Sequence, residues 1–425
     1  MMEVKLPYGE RGLEIMLERC RILRSREMPA LASVEGELER ALREPISSPS
    51  LGDLLKGAGR VLLAVPDNTR AFPSRRLIPR VLDHVERANP MAEVQVLVAT
   101  GLHREVERDE LERMFGKDVL EKYDIVNHRA SDDEQVVKLD ARTSYGTPIH
   151  VNRLVLESDV VIGAGLIEPH FFAGYSGGRK IILPGVAGKE AIFKNHGFRM
   201  IDNPRSRAGI LEGNPIHMDM IEFMKMTRLD FIINVTINER REITGIFAGD
   251  PVRAHLAGIE FLDRFVKLRV ERPADIVITT NGGFPLDRDL YQAVKGMDTA
   301  AYVVKDGGVI IIASECRDGL GGHEEFLRIF QGAGSPDEVL ENIRKNEPIN
   351  DQWEAQILAR VLKRAKVILV SDYISERLAS SFMLERAKTV EEALEIALSI
   401  IGRSDAEIMV IPEGPYVIPL TDNGI

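Results

Sequence analysis

Two histidines, His103 in "TGLHR" and His170 in "GLIEPH", lie far apart in the chain, yet each directly follows a short apolar run of the kind that forms a strand. Imidazoles at one edge of a sheet can pass a proton in either direction, because histidine titrates near neutral pH. A single histidine is more often a structural hydrogen-bonder, so it is the shared loop position that carries the reading. Asp67 and Arg70 in "DNTR" follow another such run and would sit beside His103 and Arg104 if the strands are neighbours. An aspartate can fix a histidine tautomer, and an arginine can grip a carboxylate through two parallel hydrogen bonds. The alternative is an Asx-turn at Asp67 or Asn68 with Arg70 in a surface ion pair.

The segment "EPHFFAGYSGGRKIILPG" (168–185) combines a histidine, aromatics, glycines and an Arg-Lys pair. Its "GYSGGRK" offers main-chain N–H groups free of side chains, a natural anion cradle, and Lys180 opens an apolar run that can desolvate its amine. A desolvated lysine has a lowered pKa and is a nucleophile toward carbonyl or thioester carbon. The plain alternative is a tight turn with Lys180 in water. His196 in "KNHG" cannot hold a metal alone, but it can complete the coordination of a metal held mostly by a bound organic ligand. "YQAVKG" places Tyr291 and Lys295 on one helical face with Gln292 adjacent, and Trp353 stands in the polar context "NDQWEAQ". Taken singly, these last residues read as surface or packing features. "GAGLIE" and "PGVAGKE" miss the dinucleotide and P-loop patterns, and no "HExxH" pair occurs.

These residues need elements to position them. Apolar runs at 60–66, 93–99, 159–165, 230–237, 274–280, 308–314, 366–372 and 407–414 alternate with helical patterns, which predicts an α/β protein with mostly parallel sheets flanked by helices. The charged, proline-containing "VKLRVERPAD" separates two such units, so two domains are expected, 1–270 and 271–404, with a Pro-rich tail at 405–425 returning to the first. "DNTR", "TGLHR", "GLIEPH" and "NGGFP" all fall where loops leave the carboxyl ends of strands, the place where open α/β sheets bind ligands.

The 425-residue chain is 44% apolar and 28% charged, with a formal charge of −11. No basic tract marks a nucleic-acid surface, and no apolar run approaches the length of a membrane span. The N-terminus lacks the pattern of a secretory signal, so a cytoplasmic protein is expected, with Cys20 and Cys316 as free thiols. Net charge does not exclude an anionic substrate; local cations decide that.

Together and in this order, "DNTR", "ATGLHR", "EPHFFAGYSGGRKIILPGVAG", "NHG", "YQAVKG" and "DQWEAQ" resemble the nickel-pincer lactate racemase family over most of the chain. The resemblance implies an isomerase, a racemase or epimerase of lactate or a related 2-hydroxy acid, using reversible hydride transfer to a covalently bound nickel-pincer nucleotide. It implies that Lys180 carries this cofactor through a thioamide and that His196 is the protein ligand of Ni. His103 and His170 are then the acid/base pair, with Asp67 supporting His103 and Arg70 and Lys295 holding the substrate carboxylate. Tyr291, Gln292 and Trp353 close over cofactor and substrate from the second domain, which puts the active site in the interdomain cleft. The implied partners are a small 2-hydroxy acid and the enzymes that make the cofactor, with the oligomeric state left open. Two rival readings stand beside this one: a lysine Schiff-base enzyme, which leaves His196 without a role, and a nickel or nucleotide carrier, which has no use for two acid/base histidines.

Overall fold

Each of the apolar runs contains a strand in the computed structural model, which describes residues 1–421. The first sheet has the spatial order Ile243–Gly249, Phe231–Ile237, Val160–Leu166, Arg60–Pro66, Glu93–Ala99, Asp124–Asn127, and only Ile243–Gly249 runs antiparallel. Val160–Leu166 is buried at every position, as a central strand covered on both faces requires. Chain order reverses between Arg60–Pro66 and Val160–Leu166, so the loops leaving them part and open a crevice at their carboxyl ends. The "DNTR" and "GLIEPH" loops flank that crevice.

The second sheet is parallel throughout, in the order Glu385–Ala387, Lys366–Val370, Val304–Ala313, Ala274–Thr280, Ile408–Ile411, Arg21–Ile22. Its reversal lies between Ala274–Thr280 and Ile408–Ile411, where Asn281 of the "NGGFP" loop bridges to Glu413.

The sheets are not built from contiguous parts of the chain, which departs from the expected division at 270. Arg21–Ile22 is an edge strand of the second sheet, and the hairpin Met2–Leu6 with Leu13–Leu17 packs Val4, Leu6 and Ile15 on Ile276, Ile278 and Ile311. A two-residue strand has too little pattern to be read from sequence. Within the expected tail, Ile408–Ile411 is an inner strand of the second sheet. Ile418–Thr421 pairs with Lys267–Val270, and Ile418 packs with Ile167 and Tyr175 of the first unit. Residues 422–425 lie outside the described residues.

One apolar cluster runs from Ile182, Leu183 and Met220 in the first unit to Val277, Val294 and Leu358 in the second. The Gln352–Arg364 helix is also tied across, through Gln356 Nε2 to Phe198 O at 3.0 Å and Arg360 Nη1 to Ile201 O at 2.9 Å. Among the described residues no helix is long and apolar enough to cross a membrane.

Candidate active site

Arg60–Pro66 and Glu93–Ala99 are hydrogen-bonded neighbours, so the loops that follow them emerge side by side. Asp67 Oδ2 lies 2.7 Å from His103 Nδ1, while Oδ1 accepts from Thr69 N at 3.1 Å and Thr69 Oγ1 at 2.6 Å. Asp67 therefore closes the Asx-turn of the alternative reading and meets His103 at the same time, while the surface ion pair expected of Arg70 in that reading is not seen among the described residues. Burial opposes charge on Asp67, but His103, Thr69 and Arg70 outweigh it and keep the carboxyl below its ordinary pKa. An ionised Asp67 accepts a hydrogen bond from His103 Nδ1–H, and in that tautomer Nε2 is the acceptor on a side chain 37% exposed. Arg104 turns away to pair with Glu110 at 2.7 Å, and Arg70 makes no hydrogen bond or ion pair with any described residue. Asp67→Asn, which cannot hold the Nδ1–H tautomer as a carboxylate does, is expected to lower turnover roughly a hundred-fold while the fold, read by circular dichroism, is unchanged. Wild-type turnover in Asp67→Asn would remove Asp67 from the machinery.

The Gly-rich turn is closely packed. Gly177 and Gly178 have φ of 79° and 54°, and a Cβ added to Gly178 would lie 2.6 Å from His255 Cγ. Of the amides expected to form a cradle, those of Gly178, Ser176 and Lys180 are already bonded, to Asn234 Oδ1 at 2.7 Å, Glu168 O at 3.0 Å and Gly177 O at 3.2 Å. The turn leads into the short Gly178–Ile181 helix that presents Lys180.

Lys180 Nζ lies 2.8 Å from Nε2 of the buried His170. Ala173 N donates to His170 Nδ1 at 3.3 Å, so the neutral ring carries its proton on Nε2 and aims it at Lys180. The lysine must then accept through a lone pair, as a neutral amine. Burial, with Arg70, Arg179 and Lys295 adding repulsion, holds Lys180 well below the ordinary lysine pKa, and burial with Lys180, Arg70 and Lys295 does the same for His170. Fully buried Arg179 pins the turn by donating to Ala173 O at 2.6 Å; burial pulls its pKa down to about 9, which still leaves it charged at neutral pH. Phe171 and Phe172 flank the His170 ring at 5.0 and 4.6 Å.

At neutral pH an ordinary lysine is less than about 0.1% free amine, so Lys180 is expected to stand out in reductive methylation with formaldehyde. Peptide mapping should show it modified before surface lysines, with the preference shrinking as rising pH deprotonates the others. Equal rates across the lysines at neutral pH would contradict a neutral Lys180.

His196 caps the Lys189–Asn195 helix and is buried, with Phe172 and Trp353 edge-on at 5.0 and 5.4 Å. Neither of its ring nitrogens bonds any described residue, and Nδ1 is shielded from solvent as well. His128 shows the contrast: its nitrogens meet Ala187 O at 2.9 Å and Asn152 Nδ2 at 3.0 Å, a satisfied core histidine. Among the described residues no group of three or more His, Cys, Asp or Glu could hold a metal by itself.

From the second sheet, Asp289 caps the Leu290–Ala301 helix, which carries Tyr291, Gln292 and Lys295. Lys295 Nζ donates to Gln292 Oε1 and lies 5.9 Å from the Phe171 ring centroid, while Trp353 Nε1 donates to Tyr291 Oη at 2.7 Å. Burial and the charge of Arg70 lower the pKa of Lys295. Arg70, His170, Lys180 and Lys295 thus share one electrostatic neighbourhood, with His196 coupled to Lys180.

Sequence reasoning missed Arg179 and Glu354. Glu354 is buried with Oε1 unpartnered, and burial pushes its pKa well up against the pull of Lys295. The signal was present, since Glu354, Leu358 and Val361 fall on one buried stripe of their helix, where a carboxylate is out of place.

Residues 8–209 match the lactate racemase N-terminal domain, and residues 270–419 match the lactate racemase C-terminal domain. The chain belongs to the lactate racemase family. It is an isomerase of the racemase type. A lactate racemase from Thermoanaerobacterium thermosaccharolyticum is 43% identical over 426 residues, covering 98% of this chain and 99% of that protein. One from Lactiplantibacillus plantarum is 38% identical over 429 residues, covering 98% and 100%. The structure of the lactate racemase apoprotein from T. thermosaccharolyticum superposes with a TM-score of 0.94 at 43% identity, over 98% of this chain and 100% of that one. A Thermotoga maritima protein at 19% identity and a TM-score of 0.72, over 93% of this chain and 100% of that one, shares the fold.

Proposed function

We propose that this chain interconverts the enantiomers of a small 2-hydroxy acid, lactate or a close relative, with a nickel-pincer nucleotide carried on Lys180. The observation that carries the proposal is the 2.8 Å contact between the Lys180 amine, its pKa held down by burial, and His170, in the electrostatic reach of a His196 that bonds no described residue. A free amine lone pair suits covalent attachment, and an unbonded imidazole suits a single bond to a metal whose other ligands come from the attached group. When bound, that group would supply the acceptor and donor of hydride for the substrate's α-carbon.

The remaining work falls to the chain. Taking a proton from a carbon next to a carboxylate would concentrate negative charge, so the proton that the protein must move is the hydroxyl proton. His103, with Asp67 holding its Nδ1 proton, offers Nε2 as the base for one enantiomer. His170 serves the other. While Lys180 is a free amine its lone pair receives the Nε2 proton of His170; a thioamide nitrogen at that place would offer no such lone pair, and the Nε2 edge would be left for a hydroxyl. For Nε2 to act as the base the ring proton has to sit on Nδ1, which exchanges the 3.3 Å contact from Ala173 N for a bond from the substrate hydroxyl to Nε2. Arg70 and Lys295, one from each sheet, bind the carboxylate, which explains a local excess of cations in a chain of charge −11.

The test is to give the nickel-loaded protein each pure lactate enantiomer and follow inversion by chiral chromatography. Approach to an equal mixture from both sides is expected. A loaded protein that inverts neither lactate nor any of a panel of 2-hydroxy acids overturns the proposal.

A further inference from the structure

His323 lies outside the residues assigned so far. It precedes the Glu324–Phe330 helix in the segment "GLGGH", where Gly319, Gly321 and Gly322 all have positive φ. That backbone path lays its imidazole flat on Tyr291, with ring centroids 3.7 Å apart and planes within 5°. Uncharged rings prefer offset or edge-on contacts to so close a sandwich, so other bonds must hold this one. One is visible: His323 Nδ1 lies 3.0 Å from Asp351 Oδ1. Asp351 has a left-handed φ of 66° and immediately precedes the helix that carries Trp353. Trp353 Nε1 in turn donates to Tyr291 Oη at 2.7 Å, and the indole stands edge-on to His196.

The contacts form a closed ring: Asp351 to His323, His323 to Tyr291, Tyr291 to Trp353, and Trp353 back to Asp351 along the chain. Phe326 stands perpendicular to Tyr291 at 5.7 Å, and His323 is the ring stacked flat on the phenol. We propose that His323 is a positioning residue, which holds the Tyr291 phenol in line for the Trp353 indole and so sets the aromatic wall beside His196. The role of that wall in racemisation rests on the function proposed above; its dependence on His323 does not.

Trp353 is the only tryptophan in the chain, so indole emission from the cofactor-free protein reports this wall alone. In His323→Ala the emission of Trp353 should shift to the red, and its quenching by acrylamide should rise about two-fold, because the phenol loses the ring that supports it. Asp351→Gly, at a left-handed position that glycine tolerates, keeps the His323 ring but removes the bond that holds it, and should give the same red shift and rise in quenching. The double variant should go no further than either single one, because both act through one contact, which a loss of general stability would not do. Wild-type emission and quenching in His323→Ala would overturn the proposal. So would a double variant whose changes are the sum of the single ones. Failure of the racemase reading would show separately, as absence of inversion by loaded wild type, and would leave the fluorescence result standing.

Discussion

Lys180→Ala, co-expressed with a complete set of cofactor-making enzymes, is expected to emerge with its bare polypeptide mass, with nickel near background and with no racemisation. Wild type treated in parallel should gain mass and about one nickel per chain, the stoichiometry of a single ligating site. The effect is total because the lysine is the proposed covalent anchor, and His196 alone cannot retain a metal. Removing the amine also leaves the Nε2 proton of His170 unpartnered in a buried place, at a cost of about 1–3 kcal/mol in stability. A circular dichroism spectrum and melting curve separate that cost from loss of fold. A mass adduct or retained nickel in Lys180→Ala would overturn the assignment, and absence of both from wild type, beside a control racemase that loads, would remove the cofactor from the proposal.

The second large effect concerns the histidines. His170→Gln and His103→Gln should each lower turnover by roughly 10² to 10⁴ while the mass adduct stays in place, since general acid–base groups contribute on that scale. A thermodynamic condition sharpens the prediction. Enantiomers are equal in free energy, so kcat/KM must fall by the same factor in both directions whichever histidine is lost. Two acid/base groups also predict that neither single variant reaches the inactivity of Lys180→Ala. Full activity in either histidine variant, with loading verified, would remove that residue from catalysis.

The strands that sequence patterning finds most readily are the buried ones. Val160–Leu166 and Ala274–Thr280 are buried at every position, and the apolar runs within them, VVI and IVI, are local to each segment. Asp124–Asn127, Glu385–Ala387 and Arg21–Ile22 are short strands near or at sheet edges, too brief and too polar to declare a period, and only their neighbours make them strands. The swap of the N-terminal hairpin onto the second sheet has the same origin. The site divides along a similar line. The partnership of Asp67 with His103 was legible because each ends a strand of one sheet, and strand adjacency converts loop position into proximity. The bonding of the Gly178 amide was not, because its partner Asn234 lies on another strand that the turn's own sequence does not name.

By itself, then, the sequence determined the α/β class, the loops that bear chemistry and the family, since patterning and motif order are written along the chain. Tertiary structure alone decided that the Lys180 amine meets His170 in a buried place, that His196 bonds no described residue through either nitrogen, and that His323 lies flat on Tyr291. The physical reason is that burial, charge and hydrogen-bond satisfaction belong to a residue's surroundings, and those surroundings are assembled from segments that meet only in the fold.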